Sequence, residues 1–136
     1  VSTATELRLT QQWLALEHEA IWVLALVGAR FPALEEAAQD ALPAHETTRD
    51  RLADAVTDLG GTPVATQPSY DVTDPRDASA ARALVRDVEA RIAAACVRLV
   101  GPTSDRARDR AVRGLRAAAL AQVRWGADPE PFPGLD

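Results

Sequence analysis

Lysine, methionine and asparagine are absent from this chain of 136 residues, and cysteine occurs once, at Cys96. A lone cysteine excludes an intrachain disulfide and any cysteine-based metal motif. All fifteen basic residues are arginine, which reads as a bias of GC-rich coding rather than as chemistry. Aromatic residues make up 4% of the chain, so a core must be close-packed from small and branched aliphatics. No apolar run reaches the roughly 18 residues of a membrane span, and no signal-peptide pattern opens the chain. A cytoplasmic protein is expected, although the start at Val1 leaves a removed leader open. No strand signal and no glycine-rich phosphate loop are present, and Ser, His and Asp show no nucleophile-and-base arrangement. The formal charge of −5 gives no electrostatic reason to bind nucleic acid.

What the chain does have is alanine and leucine in helical periodicity. Four segments follow, at about residues 5–30, 33–59, 75–100 and 104–126. The first carries Leu7, Leu14, Ile21, Leu24 and Ala25 on one face and closes at Phe31-Pro32. The second carries Leu34, Ala38, Leu42, Leu52 and Val56 and closes at Gly60-Gly61, with Pro43 expected to kink or interrupt it. Asp74-Pro75 is the expected N-cap of the third, which continues through Ala81, Leu84, Val88, Ile92 and Leu99. The fourth starts at Thr103 or Ser104 and carries Ala111, Leu115, Ala118 and Val123. A proline-rich tail, residues 127–136, is expected to pack on the bundle through Phe132 and Leu135.

Loop lengths indicate topology. The first and second segments are joined tightly, as are the third and fourth. The link from Gly60 to Thr73 is long and rich in glycine and proline. A helix of 26 residues is about 39 Å long, and fourteen extended residues span about 45 Å, so this link can run the length of a bundle. Charge is uneven: residues 1–59 hold four arginines and ten acids, whereas residues 104–126 hold six arginines and two aspartates. Arg106, Arg110, Arg113 and Arg124 share a face of the fourth helix, which reads as a solvated stripe.

Three helices carry a polar residue on or at the edge of an apolar face. Glu17 lies between Leu14 and Ile21. His45 is at the centre of the second stripe, with Arg49 one turn on. Glu89 sits at a stripe edge beside Val85, Ile92 and Cys96. A buried charge is costly unless paired or ligated. Each of the three lies within about two residues of its helix midpoint, so in an antiparallel bundle they meet at one level. His18, at the arc edge, reads as a packing residue, and Cys96 as a small core residue.

In this order and spacing, LALEHEAIW in helix one, AHETTRD in helix two, GGTPVATQPSYDV in the link, DVEARIAAAC in helix three and RW followed by FPG resemble the ferritin-like domains of unknown function common in GC-rich bacteria. The resemblance covers nearly the whole chain and implies an antiparallel four-helix bundle with one long crossover and no established activity. The wider ferritin-like superfamily places a di-iron site at the bundle waist, with Glu and Glu-x-x-His ligands. Glu17, His45 and Glu89 match the helix-one Glu, the helix-two His and the helix-three Glu. Leu42 stands at the helix-two Glu position, and helix four offers neither of its ligands.

One nitrogen and two carboxylates are too few for two irons. The preferred reading is a buried polar network in which Glu17 and Glu89 pair with His45 and Arg49, since a fixed cation opposes a metal and suits carboxylates. The alternative is a mononuclear site or oxidoreductase, with a single divalent metal on Glu17, His45 and Glu89. No cofactor is otherwise expected. A binding module is the third class, taking a small ligand between helices or a second copy, with Trp13 and Trp22 part exposed as a homodimer contact. The expectation is an all-α, ferritin-like bundle over residues 1–126 with a degenerate di-iron site and a non-catalytic binding or structural role.

Overall fold

The computed structural model describes residues 2–103, 105–129 and 131–135, and among them every regular element is helical. Helix α1 spans Thr3–Arg30, α2 Glu35–Asp58, α3 Ala78–Val100 and α4 Asp105–Arg124, with a single 3-10 turn at Pro32–Leu34. None of these helices is long and apolar enough to cross a membrane.

Local chemistry sets the boundaries. Ser2 caps α1 by accepting the Thr5 backbone N–H at 3.1 Å, which satisfies one of the free donors of the first turn. At the end of α2, Gly60 takes a φ of 86°. The Gly60 N–H then donates to the Thr57 carbonyl and the Gly61 N–H to the Val56 carbonyl, a closure that glycine allows because it has no Cβ to clash. Ser104, one of two expected starts of α4, lies outside the described residues. Thr103 turns its hydroxyl back to donate to the Leu99 carbonyl.

Two boundary expectations are corrected. Asp74-Pro75 does not start α3. Asp77 does, its side chain accepting the Ala80 N–H at 2.8 Å; Asp74 is taken up by an ion pair with Arg30, and Pro75 is buried. Pro43 does not interrupt α2, which runs on to Asp58. Its ring is exposed, and the local loss is the one hydrogen bond that its missing N–H cannot make.

Helix α1 packs on both α2 and α3, and α3 packs on α4. This central position widens the buried arc of α1 beyond the expected stripe. Trp13, Ala20, Val23 and Val27 are buried, whereas Ile21 is half-buried and Ala25 exposed. Trp13, expected at an exposed flank, is 1% exposed; Trp22 is half-buried.

The core falls into two apolar clusters. One gathers Leu14, Leu52, Val56, Ile92, Cys96 and Leu99. The other gathers Leu24, Val27, Leu34, Ala38, Val85 and Trp125. Glu17, His45 and Glu89 lie close to where one cluster gives way to the other along α1, α2 and α3.

The link between α2 and α3 follows α1 from end to end. Gly61 meets Leu7. The Gln11 side chain donates to the Thr62 carbonyl at 2.6 Å and accepts the Val64 N–H at 2.9 Å. The His18 Nε2–H donates to the Val64 carbonyl at 2.9 Å, Tyr70 packs on Trp22 with ring centroids 5.8 Å apart, and Asp74 pairs with Arg30. His18 is thus spent on holding this strap. At the C-terminus, Phe132 and Leu135 are 71% and 65% exposed, so they do not dock the tail. Gly134 approaches α3 instead, where an added Cβ would come within 2.9 Å of the Ala93 carbonyl.

Candidate functional site

Glu17 of α1, His45 of α2 and Glu89 of α3 come together at mid-height of the molecule. The His45 Nδ1–H donates to Glu17 Oε2 at 2.5 Å, and the Nε2–H donates to Glu89 Oε1 at 2.6 Å. The other oxygen of Glu17 accepts the Trp13 indole N–H at 2.9 Å. Both carboxylates are 2% exposed, and the His45 side chain is 12% exposed.

Both ring nitrogens face carboxylate oxygens, an arrangement that suits the imidazolium, the one form of the ring that donates from both. Burial works against that charge, but hydrogen bonds and charge from Glu17 and Glu89 outweigh it and hold the His45 pKa at about 10. Burial pushes Glu89 above the usual carboxylate range, against the pull of His45. The two carboxylates thus share a single imidazole placed between them.

Arg49, expected to pair with the carboxylates alongside His45, is not part of this network. Its guanidinium bonds Asp50 at 3.0 Å, and the cation between the carboxylates is His45. Cys96 is buried nearby, and its thiol is pushed upward first by burial and then by the charges of Glu17 and Glu89. Among the described residues, no three of His, Cys, Asp and Glu are disposed as a metal-holding group. His45 stands between the carboxylates rather than beside them, so both of its nitrogens are spent on Glu17 and Glu89.

The network is the floor of a cavity of about 610 Å³. The cavity lies where α2 and α4 face each other without packing as α1 does on α2 and α3, or α3 on α4. Alanines of both helices form its sides, among them Ala41 and Ala44 of α2 and Ala117 and Ala121 of α4, with Ile92 and Trp125 completing the apolar lining. Gly114 lets Trp13 reach this position. A Cβ at residue 114 would stand 2.4 Å and 2.6 Å from two carbons of the Trp13 ring and 2.9 Å from the Cys96 sulfur.

Sequence reasoning did not identify the cavity, nor Trp13, Gly114 and Trp125 as parts of it. A glycine in the middle of an alanine-rich helix was the available signal. Glycine there costs about 1 kcal/mol against alanine, which is tolerable where another side chain needs the space.

A crystal structure of a conserved hypothetical protein, rv2844, from Mycobacterium tuberculosis is similar to this chain, with a TM-score of 0.86 and 23% identity, covering 92% of this chain and 97% of that one. That likeness concerns the fold. No curated protein matches the chain. A family model described as a domain of unknown function (DUF4439) matches residues 10–136, and the chain belongs to that family.

Proposed function

We propose that this protein is a non-catalytic small-molecule-binding module on an antiparallel, ferritin-like bundle, its ligand site being the cavity between α2 and α4. The observation that carries the reading is a cavity of about 610 Å³ with apolar sides and a charged floor. Ligand sites commonly measure about 300–1,000 Å³ and combine an apolar lining with a few placed polar groups. The ferritin-like topology is supported by the strap, whose contacts pass along α1 from Leu7 to Arg30 in chain order.

In this reading the waist is the remnant of a di-iron centre that has exchanged its metals for a proton. His45 carries that proton between Glu17 and Glu89. The donor set fits a resident metal poorly. A metal on either His45 nitrogen would displace a donated hydrogen bond, and Leu42 and the apolar or small residues of α4 supply no bridging carboxylate.

Titration with a neutral solvatochromic dye such as Nile red tests the reading. One saturable site is expected, lost in Ala117→Trp, which places a large ring in the cavity from an exposed position. No saturable binding, or binding that ignores Ala117→Trp, overturns it.

A further inference from the structure

We infer that the ligand of this cavity carries a cationic amine head that binds Glu89, on an apolar body that fills the space between α2 and α4. The inference rests on the cavity being a ligand site and adds the chemistry of its occupant.

Trp13, Glu17, His45 and Glu89 together have an acceptor to spare and no free N–H, and Thr48 adds one hydroxyl to the lining. The Trp13 N–H is spent on Glu17, and both N–H groups of His45 are spent on the two carboxylates. Glu17 uses both of its oxygens, one for Trp13 and one for His45. Glu89 uses only Oε1, for His45. Among the described residues its Oε2 has no hydrogen-bond partner, yet no buried side-chain oxygen or nitrogen is left sealed without one. Glu89 is 2% exposed and lines the cavity, so what remains open of this oxygen faces the cavity.

An anionic head therefore finds no free N–H at the floor and meets the Glu89 carboxyl there. A donor finds one buried acceptor. A charged donor gains further, because charge-assisted hydrogen bonds are about twice as strong as neutral ones. Asp40 and Arg124, one of each sign, also line the cavity from exposed positions, so the selective charge lies at the floor. The apolar lining from Ala41, Ala117, Ile92 and Trp125 suits a hydrocarbon or aromatic body.

Calorimetric titration at neutral pH with phenylbutylamine and its neutral counterpart phenylbutanol separates head from body. The amine is expected to bind wild-type protein about tenfold or more tightly than the alcohol, the scale of one charge-assisted hydrogen bond. Glu89→Gln keeps an oxygen for His45 and is expected to erase the preference while leaving the alcohol bound. Ala117→Trp is expected to remove both. Equal binding of amine and alcohol to wild-type protein overturns the amine inference and leaves the cavity reading standing, as does a preference that survives Glu89→Gln. Failure of both probes together with the neutral dye overturns both. The wild-type comparison decides the matter even if the Gln variant does not fold.

Discussion

Gly114 of α4 lies directly against the indole of Trp13 on α1, so close that no side chain fits between them. The ring carried in that space donates to Glu17, and Glu17 in turn accepts from His45. A helix with no chemistry of its own at mid-height thus controls the orientation of the buried acid.

Gly114→Ala is expected to destabilise the protein even though alanine is the better helix former. The added methyl would meet a rigid ring and the Cys96 sulfur. Overpacking of this kind costs about 1–3 kcal/mol, against a gain of about 1 kcal/mol in helix propensity. Urea titration gives the balance, and a shift in tryptophan emission reports displacement of Trp13. A stabilised variant with unchanged emission refutes the account of this contact.

Glu17→Ala is expected to cost about 3–5 kcal/mol, the range for breaking a buried charged pair from one side. It leaves the Trp13 N–H without its acceptor and His45 with one carboxylate in place of two. Denaturant unfolding measures it. A loss below about 0.5 kcal/mol is incompatible with a carboxylate bound in this way.

Stability is expected to fall as pH rises above neutrality. His45 keeps its proton up to about pH 10 in the folded chain, whereas an ordinary histidine loses it near 6.5. Between those values the folded state holds the extra proton. The stabilisation is complete below 6.5 and is lost as pH rises through 10, with a slope of about 1.4 kcal/mol per pH unit for one proton. Glu89, raised by burial, acts in the same direction, its share being lost as pH rises through the raised value. Unfolding free energies across that window, for wild type and His45→Gln, test this. A slope no steeper in wild type than in the variant shows that the imidazole enters the fold neutral.

Growth with added iron is expected to yield protein far short of two irons per chain by elemental analysis. Two adjacent cations need bridging carboxylates, and the corresponding positions hold Leu42 on α2 and apolar or small residues on α4. About two irons per chain would overturn the degenerate-site reading, and about one would favour the mononuclear alternative on Glu17, His45 and Glu89.

Cys96 is expected to resist an aromatic disulfide reagent in native protein and to react fully on unfolding. It is buried, and burial and the neighbouring carboxylates push its thiol pKa upward, away from the reactive thiolate. Rapid stoichiometric reaction under native conditions refutes this.

The four helices were legible because alanine-rich periodicity and glycine closures are local signals. The convergence of Glu17, His45 and Glu89 was legible too, since each is a polar residue in an apolar context near its helix midpoint. What escaped depends on partners distant in sequence. The burial of Trp13 requires a glycine about a hundred residues away. Asp74 reads as the cap of α3, but Asp77 takes that place and Asp74 pairs with Arg30. Arg49 was expected to neutralise the carboxylates, but His45 already sits between them, leaving Arg49 to Asp50. The cavity needed the relative placement of α2 and α4, which helical periodicity does not encode.

The buried carboxylate–imidazolium–carboxylate chain also acts as a length gauge. Apolar packing has no direction of its own, so it leaves the level of one helix against another to shape alone. A slip of one residue moves a helix by about 1.5 Å along its axis. Slippage of α2 by that amount would stretch the His45 bonds to α1 and α3 together, stranding charges away from water. One histidine thereby indexes three helices to a common level.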